Sequence, residues 1–62
     1  MKPQCQFEVG DLVRFSDDFY MGIVLDTKLS DAFADEGLYE IKVYWFEHAM
    51  IFWCLDFTLI KL

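Results

Sequence analysis

The chain has 62 residues, of which 56% are apolar and 19% aromatic, and its formal net charge is −6. This length allows one domain, and so apolar a composition is not that of a disordered chain. The negative charge repels phosphate backbones, so we expect no direct nucleic-acid partner. The longest uninterrupted apolar run covers residues 49–55, far short of the ~20 residues that span a bilayer. Because no secretory apolar segment follows the N-terminus either, we expect a soluble intracellular protein with no membrane partner.

The negative charge is concentrated in the middle of the chain. Residues 17–40 contain seven carboxylates and a single lysine, a net charge of −6 that equals that of the whole chain. Three of these carboxylates, Asp31, Asp35 and Glu36, fall in the segment LSDAFADEG, which we interpret as an acidic connection between strands. Their spacing is not that of a calcium-binding loop. Two interpretations remain for them: a solvated loop, or a docking surface for a basic partner.

The first half of the chain predicts two strands. Residues 12–15 follow a Gly-Asp turn pair and predict a short strand. Residues 21–27 alternate as a second strand, with Val24 and Asp26 on the same face. Ser30 is placed to cap one helical turn in the acidic connection, which leaves no room for a longer helix.

The second half predicts three more strands. Residues 39–46, YEIKVYWF, alternate most clearly, and residues 50–55 form the next strand after a short polar break. A turn at residues 56–58 then leads into a last strand at residues 59–62. Five short strands without a long helix predict an all-β fold.

The third and fourth predicted strands should form a hairpin around Glu47-His48. A turn of two or four residues pairs Trp45 with Phe52 and Phe46 with Ile51, and sorts the side chains into two faces. One face, which we expect to be the core, carries Ile41, Val43, Trp45, Phe52 and Cys54. The opposite face carries Lys42, Tyr44, Phe46, Ile51, Trp53 and Leu55.

The second of these faces is nearly as apolar as the first. A half-solvated antiparallel sheet normally carries polar residues there, and a chain this small buries only about 60% of its unfolded surface. Either the face is a second core layer beneath the chain's own loops, or it is an interface for another protein or a second copy. Aromatic anchors dominate the binding energy of protein contacts. We therefore predict the following partner-binding residues: Tyr44, Phe46, Ile51, Trp53, Asp31, Asp35 and Glu36.

No catalytic, metal or cofactor site is predicted. His48 is the only histidine, and no nucleophile or orienting group accompanies it in the sequence. Cys5 and Cys54 do not have metal-ligand spacing, and we expect both to be free thiols. The pair Asp17-Asp18 could perform acid–base chemistry only in a cleft, which so small a domain hardly offers.

The order of these pieces resembles an SH3-like barrel. The segments that carry the resemblance are VGDLVRF at residues 9–15, GIV at 22–24, VYW at 43–45 and the ending LIKL at 59–62. The chain is most similar to the small SH3-like and KOW-like proteins of tailed bacteriophages, especially those of cyanobacteria. This implies a five-stranded barrel over residues 7–62, after an N-terminal tail of residues 1–6. The acidic residues depart from the basic pattern of KOW-type RNA binders, so RNA binding is not implied.

The resemblance, with the aromatic face, indicates a non-enzymatic protein–protein interaction module. It implies a small structural or assembly component of a phage, whose partner is a phage structural protein, in the virion or in the host cytoplasm. The alternative is an acidic inhibitor that binds a host enzyme by imitating the charge of a nucleic acid. Self-association of the chain is a further interpretation.

Overall fold

The computed structural model describes residues 5–31 and 34–62, which form five strands and two short 3₁₀ turns. The strands are β1 (Leu12–Phe15), β2 (Met21–Leu29), β3 (Tyr39–Trp45), β4 (Met50–Leu55) and β5 (Leu59–Lys61). The 3₁₀ turns are Ala34–Glu36, between β2 and β3, and Asp56–Thr58, between β4 and β5. The predicted all-β class is confirmed.

All five strands lie in one antiparallel sheet with the order β4-β3-β2-β1-β5. The strands β4 and β5 are the two edges of this sheet, and within residues 5–31 and 34–62 they do not pair with each other. The sheet is therefore not closed into a barrel, and the SH3-like assignment stays a prediction.

The core lies on one side of the sheet, which we call the inner face. Trp45 is its largest buried side chain, and its indole stacks on the Phe15 ring with 4.3 Å between centroids and 13° between planes. The other buried apolar side chains in the described part of the chain are Phe7, Val13, Val24, Ile41, Val43 and Leu59. They come from β1, β2, β3, β5 and the N-terminal segment, but not from β4.

The turn before β1 is closed by Asp11. The backbone N–H of Glu8 donates to Asp11 Oδ2 at 2.8 Å, and Lys61 Nζ lies 3.2 Å from the same oxygen. The hydrogen bond from Glu8, aided by Lys61, lowers the pKa of the Asp11 carboxyl below its ordinary value. Asp11 thus joins the turn before β1 to β5.

The predicted strands agree with the observed ones except at some ends and in one alternation. β2 continues two residues further than predicted, and β3 ends at Trp45. A β-bulge between Val24 and Asp26 places an extra residue, Leu25, in β2. Val24 pairs with buried Val43, whereas Asp26 pairs with Lys42. The prediction that Val24 and Asp26 share a face was therefore wrong, because the bulge interrupts the two-residue period.

The β3–β4 hairpin has the predicted faces but a different register. Trp45 pairs with Met50 and Tyr44 with Ile51, so the predicted pairs of Trp45 with Phe52 and Phe46 with Ile51 were wrong by two residues. A shift of two keeps every side chain on its face. The loop comprises residues 46–49 and ends at Ala49, which has a φ of 49°.

We expect Ala49→Gly to stabilise the protein by about 0.5–1 kcal/mol. A left-handed backbone conformation costs a non-glycine residue roughly 1–2 kcal/mol, and glycine avoids this strain. Glycine also raises the conformational entropy of the unfolded chain, which cancels part of the gain in stability. Urea denaturation monitored by far-UV circular dichroism measures the change. Ala49→Val is the matched control and should destabilise, since a β-branched side chain tolerates positive φ poorly. Equal midpoints for the two variants would contradict the assigned turn.

Candidate functional site: the exposed outer face

The side of the sheet opposite the core, which we call the outer face, carries large apolar side chains open to solvent. Ile51 and Trp53 of β4 are 52% and 42% exposed, and Phe46, immediately after β3, is 46% exposed. Tyr44 is half-buried, between Ile23 and Ile51 on the neighbouring strands. Phe46, Ile51 and Trp53 are therefore not covered by the described loops of the chain, as a second core layer would require.

The aromatic side chains of the outer face lie in two groups. Tyr44 and Phe46 are two residues apart, so both point to the same side, and their rings meet edge to face with centroids 5.9 Å apart. Trp53 lies opposite Lys42 in the β3–β4 ladder. The structure therefore brings together the four predicted apolar binding residues along β3 and β4.

Trp53 is flanked by two lysines. Lys28 Nζ lies 4.8 Å and Lys42 Nζ 5.9 Å from the centre of the Trp53 ring, both within cation–π range. Lys28 also lies 4.0 Å from Glu40. Sequence reasoning missed Lys28, because it lies far from Trp53 in the chain and reaches the outer face only through the bulge in β2. The charges at the aromatic face are thus mixed in sign rather than acidic.

The predicted acidic binding residues lie outside the strands. Asp31, Asp35 and Glu36 are exposed in the connection between β2 and β3. Neither of the ion pairs found among the described residues includes them. Among the described residues, the charged groups within cation–π range of Trp53 are Lys28 and Lys42 rather than these carboxylates.

The groups considered for chemistry have ordinary surroundings. His48 is exposed, and its ring meets Tyr20 edge-on with centroids 4.7 Å apart. Cys5 and Cys54 are free thiols, as predicted. Burial raises the pKa of the Cys54 thiol above its ordinary value. In the described part of the chain, no three His, Cys, Asp or Glu side chains are grouped to hold a metal ion.

An open apolar hollow of about 340 Å³ lies at the hairpin end of the inner face. Asp18 stands among the side chains that line it, and the others are Phe15, Tyr20, Trp45, His48, Met50 and Phe52. Phe52 was predicted to belong to the core, but it is 45% exposed. The prediction was wrong because β4 is an edge strand, and no other described strand lies beyond it to cover its inner side.

No protein-family model, no curated protein and no solved structure matches this chain. None of the helical segments in residues 5–31 and 34–62 is long and apolar enough to cross a membrane.

Proposed function

We propose that this protein is a non-enzymatic protein-binding module whose outer face is the contact surface. The observation that carries the proposal is the exposure of Phe46, Ile51 and Trp53, between two-fifths and about half of each side chain, on a regular sheet. Ile51 and Trp53 lie in the regular strand β4, and Phe46 directly follows β3, so little backbone entropy is lost when a partner covers them. The proposed domain type is the SH3-like one that the sequence resembles.

The composition of the outer face fits the anatomy of a protein interface. Aromatic side chains supply most of the energy at such contacts, while charges at the rim add specificity. Here Tyr44, Phe46 and Trp53 provide the aromatic surface, and Lys28 and Glu40 provide charges of both signs beside it. A partner with an apolar centre and a mixed polar rim would match this pattern.

The proposed setting is a tailed phage, with a phage structural protein as the partner and a structural or assembly role. The second candidate, an acidic inhibitor of a host enzyme, is favoured by a different observation. Asp17, Asp18, Asp31, Asp35 and Glu36 are all exposed on loops rather than on the outer face. An inhibitor would bind through these carboxylates, and its affinity would fall steeply as salt is added.

We expect Trp53→Ser to weaken binding of the partner at least tenfold. Removal of an aromatic anchor typically costs ~2 kcal/mol or more of binding free energy, and a tenfold loss already corresponds to about 1.4 kcal/mol. The measurement is quantitative capture from phage-infected lysate with mass spectrometry, followed by titration of the captured protein. Phe57→Ser is the matched control, since Phe57 is 65% exposed but lies in a 3₁₀ turn away from the outer face.

Circular dichroism should first show that both variants fold. Equal loss of binding in the two variants, or none in either, would contradict the assignment of the outer face. A structural component should also occur in purified particles at a fixed copy number. An inhibitor should be absent from particles and should release its enzyme at high salt.

A further inference from the structure

The two edges of the sheet differ in how they are protected from other strands. β5 has only three residues, one of which is Lys61, and the Lys61 ammonium also donates to the Gln6 carbonyl at 3.3 Å. Short length and a lysine are the usual devices that prevent edge-to-edge pairing. β4 has six residues, MIFWCL, with no charge and no proline. Its edge therefore has none of these devices.

The hydrogen-bond pattern shows which residues of β4 have unpaired backbone groups. The Phe46 N–H donates to the Met21 carbonyl at 3.0 Å, so residues of β3 at even positions point their backbone groups towards β2. The backbone groups of odd-numbered residues in β3 then point towards β4, so Trp45 bonds to Met50 and Val43 bonds to Phe52. Directions alternate along a strand, so the odd residues of β4 point away from the sheet: Ile51, Trp53 and Leu55.

We propose that a second copy of this chain pairs with β4 to form a continuous antiparallel sheet across a two-fold axis. The axis passes midway between Trp53 of one copy and Trp53 of the other, which pair with each other. Ile51 of each copy then pairs with Leu55 of the other. The Leu55 carbonyl already accepts a bond from the Thr58 hydroxyl at 2.7 Å. The register therefore uses the N–H of Trp53 and Leu55 and the C=O of Ile51 and Trp53, and makes about four hydrogen bonds. It keeps like faces together, so the two outer faces join into one surface.

Several features favour a second copy over an unrelated strand. β4 carries half-exposed apolar side chains on both sides, Ile51 and Trp53 on the outer and Met50 and Phe52 on the inner. A matching strand must be uncharged and apolar on both faces over six residues, and β4 itself meets this requirement. The charges that flank it, Glu47 and Asp56, lie outside the paired segment.

The net negative charge of each copy opposes this pairing. Each copy carries −6, so the two copies repel one another at low ionic strength, and salt screens that repulsion. A six-residue strand is about 20 Å long, and its pairing forms a small interface. We therefore expect an equilibrium between monomer and dimer that shifts towards the dimer with concentration and with added salt.

Leu55→Pro tests the pairing. Leu55 has a φ of −72°, which proline adopts, and its carbonyl can still accept the 2.7 Å bond from the Thr58 hydroxyl. The substitution removes the outward N–H and replaces the leucine side chain by the proline ring. Leu55→Ala is the control that loses the side chain but keeps the N–H. Sedimentation velocity on the wild type should show the mass rising from 7.4 kDa towards twice that value.

The dimer dissociation constant should rise at least tenfold in Leu55→Pro and change only a few-fold in Leu55→Ala. A wild-type chain that stays monomeric up to about 1 mM in high salt would overturn the proposal, as would equal effects of the two variants. A monomer that instead binds an added synthetic strand peptide would show that the edge serves a foreign chain, which also overturns it.

A cysteine pair tests the register without relying on proline. Phe52 would lie opposite Cys54 of the other copy as a non-hydrogen-bonded pair, with Cα atoms about 4.5 Å apart, close enough for a disulfide. In a Cys5→Ser background, Phe52→Cys should form a covalent dimer on air oxidation, and the control Phe57→Cys should not. Equal cross-linking in both would overturn the register and the proposal.

This inference does not depend on the proposed function, and the two can fail separately. Self-pairing uses the backbone edge of β4, and Leu55→Pro blocks it while leaving Phe46, Ile51 and Trp53 in place. Loss of self-association with retained capture of a partner would separate the edge from the outer face. Retained self-association with no capture would leave the dimer standing and remove the proposed module.

Discussion

Trp45→Ala should cost about 3–5 kcal/mol of folding free energy, a large part of the stability of so small a domain. Removing a large buried aromatic side chain loses its transfer free energy and leaves a cavity. Trp45 is 1% exposed and stacks on Phe15, so no neighbouring side chain can fill its place without moving. A domain of this length is stable by only roughly 3–9 kcal/mol, which the loss would largely cancel.

Urea denaturation monitored by far-UV circular dichroism measures this loss, with Trp45→Phe as the matched control. Phenylalanine keeps the ring beside Phe15 and gives up an indole N–H that has no hydrogen-bond partner among the described residues. We therefore expect Trp45→Phe to lose less than half as much stability as Trp45→Ala. A loss below about 1 kcal/mol for Trp45→Ala would mean that the indole is not the centre of the core.

Gly22→Ala should destabilise the protein by at least ~2 kcal/mol, because β3 lies too close to β2 at this position. A Cβ atom on Gly22 would lie 2.5 Å from Val43 Cγ1 and 2.6 Å from the Tyr44 carbonyl oxygen. The carbonyl belongs to the backbone of β3, which pairs with strands on both sides, so it cannot rotate away. The strands would have to separate in the region that carries both the core and the outer face.

Gly10→Ala separates this steric effect from the general effect of replacing a glycine. Gly10 has a φ of 96°, but no atom lies within 4 Å of its would-be Cβ. Gly10→Ala should therefore lower the free energy of unfolding only by the backbone strain of a left-handed alanine, about 1 kcal/mol. Chemical denaturation of both variants gives the comparison, and a smaller loss for Gly22→Ala than for Gly10→Ala would contradict the close approach of the two strands.

The parts of the fold that follow from alternation were predictable, and the parts that follow from tertiary position were not. The sequence of β3 has a clean two-residue period, so its buried and exposed sides could be assigned in advance. The register of the hairpin could not, because Ala49 adopts a left-handed conformation without the glycine that would signal it. The bulge at Leu25 has no sequence signal either, since the residues around it continue an ordinary alternation.

The same limit applies to the candidate site. The exposed side chains Phe46, Ile51 and Trp53 were selected because the hairpin sorts side chains by parity, which survives a shift of two residues. Phe52 is open to solvent because β4 is an edge strand. The order of strands in a sheet cannot be predicted from the local sequence. The placement of Lys28 beside Trp53 needs both the strand order and the bulge.

The contrast between the two tryptophans gives the molecule a pair of built-in optical reporters. Trp45 is enclosed and stacked, so its emission should respond to unfolding and hardly at all to dissolved quenchers. Trp53 is open to solvent beside two ammonium groups, which attract iodide and repel caesium in spite of the negative charge of the whole chain. Iodide quenching of the native fluorescence therefore measures how accessible Trp53 is to solvent. A ligand that covers Trp53 should reduce the quenching, so ligands can be screened without any label.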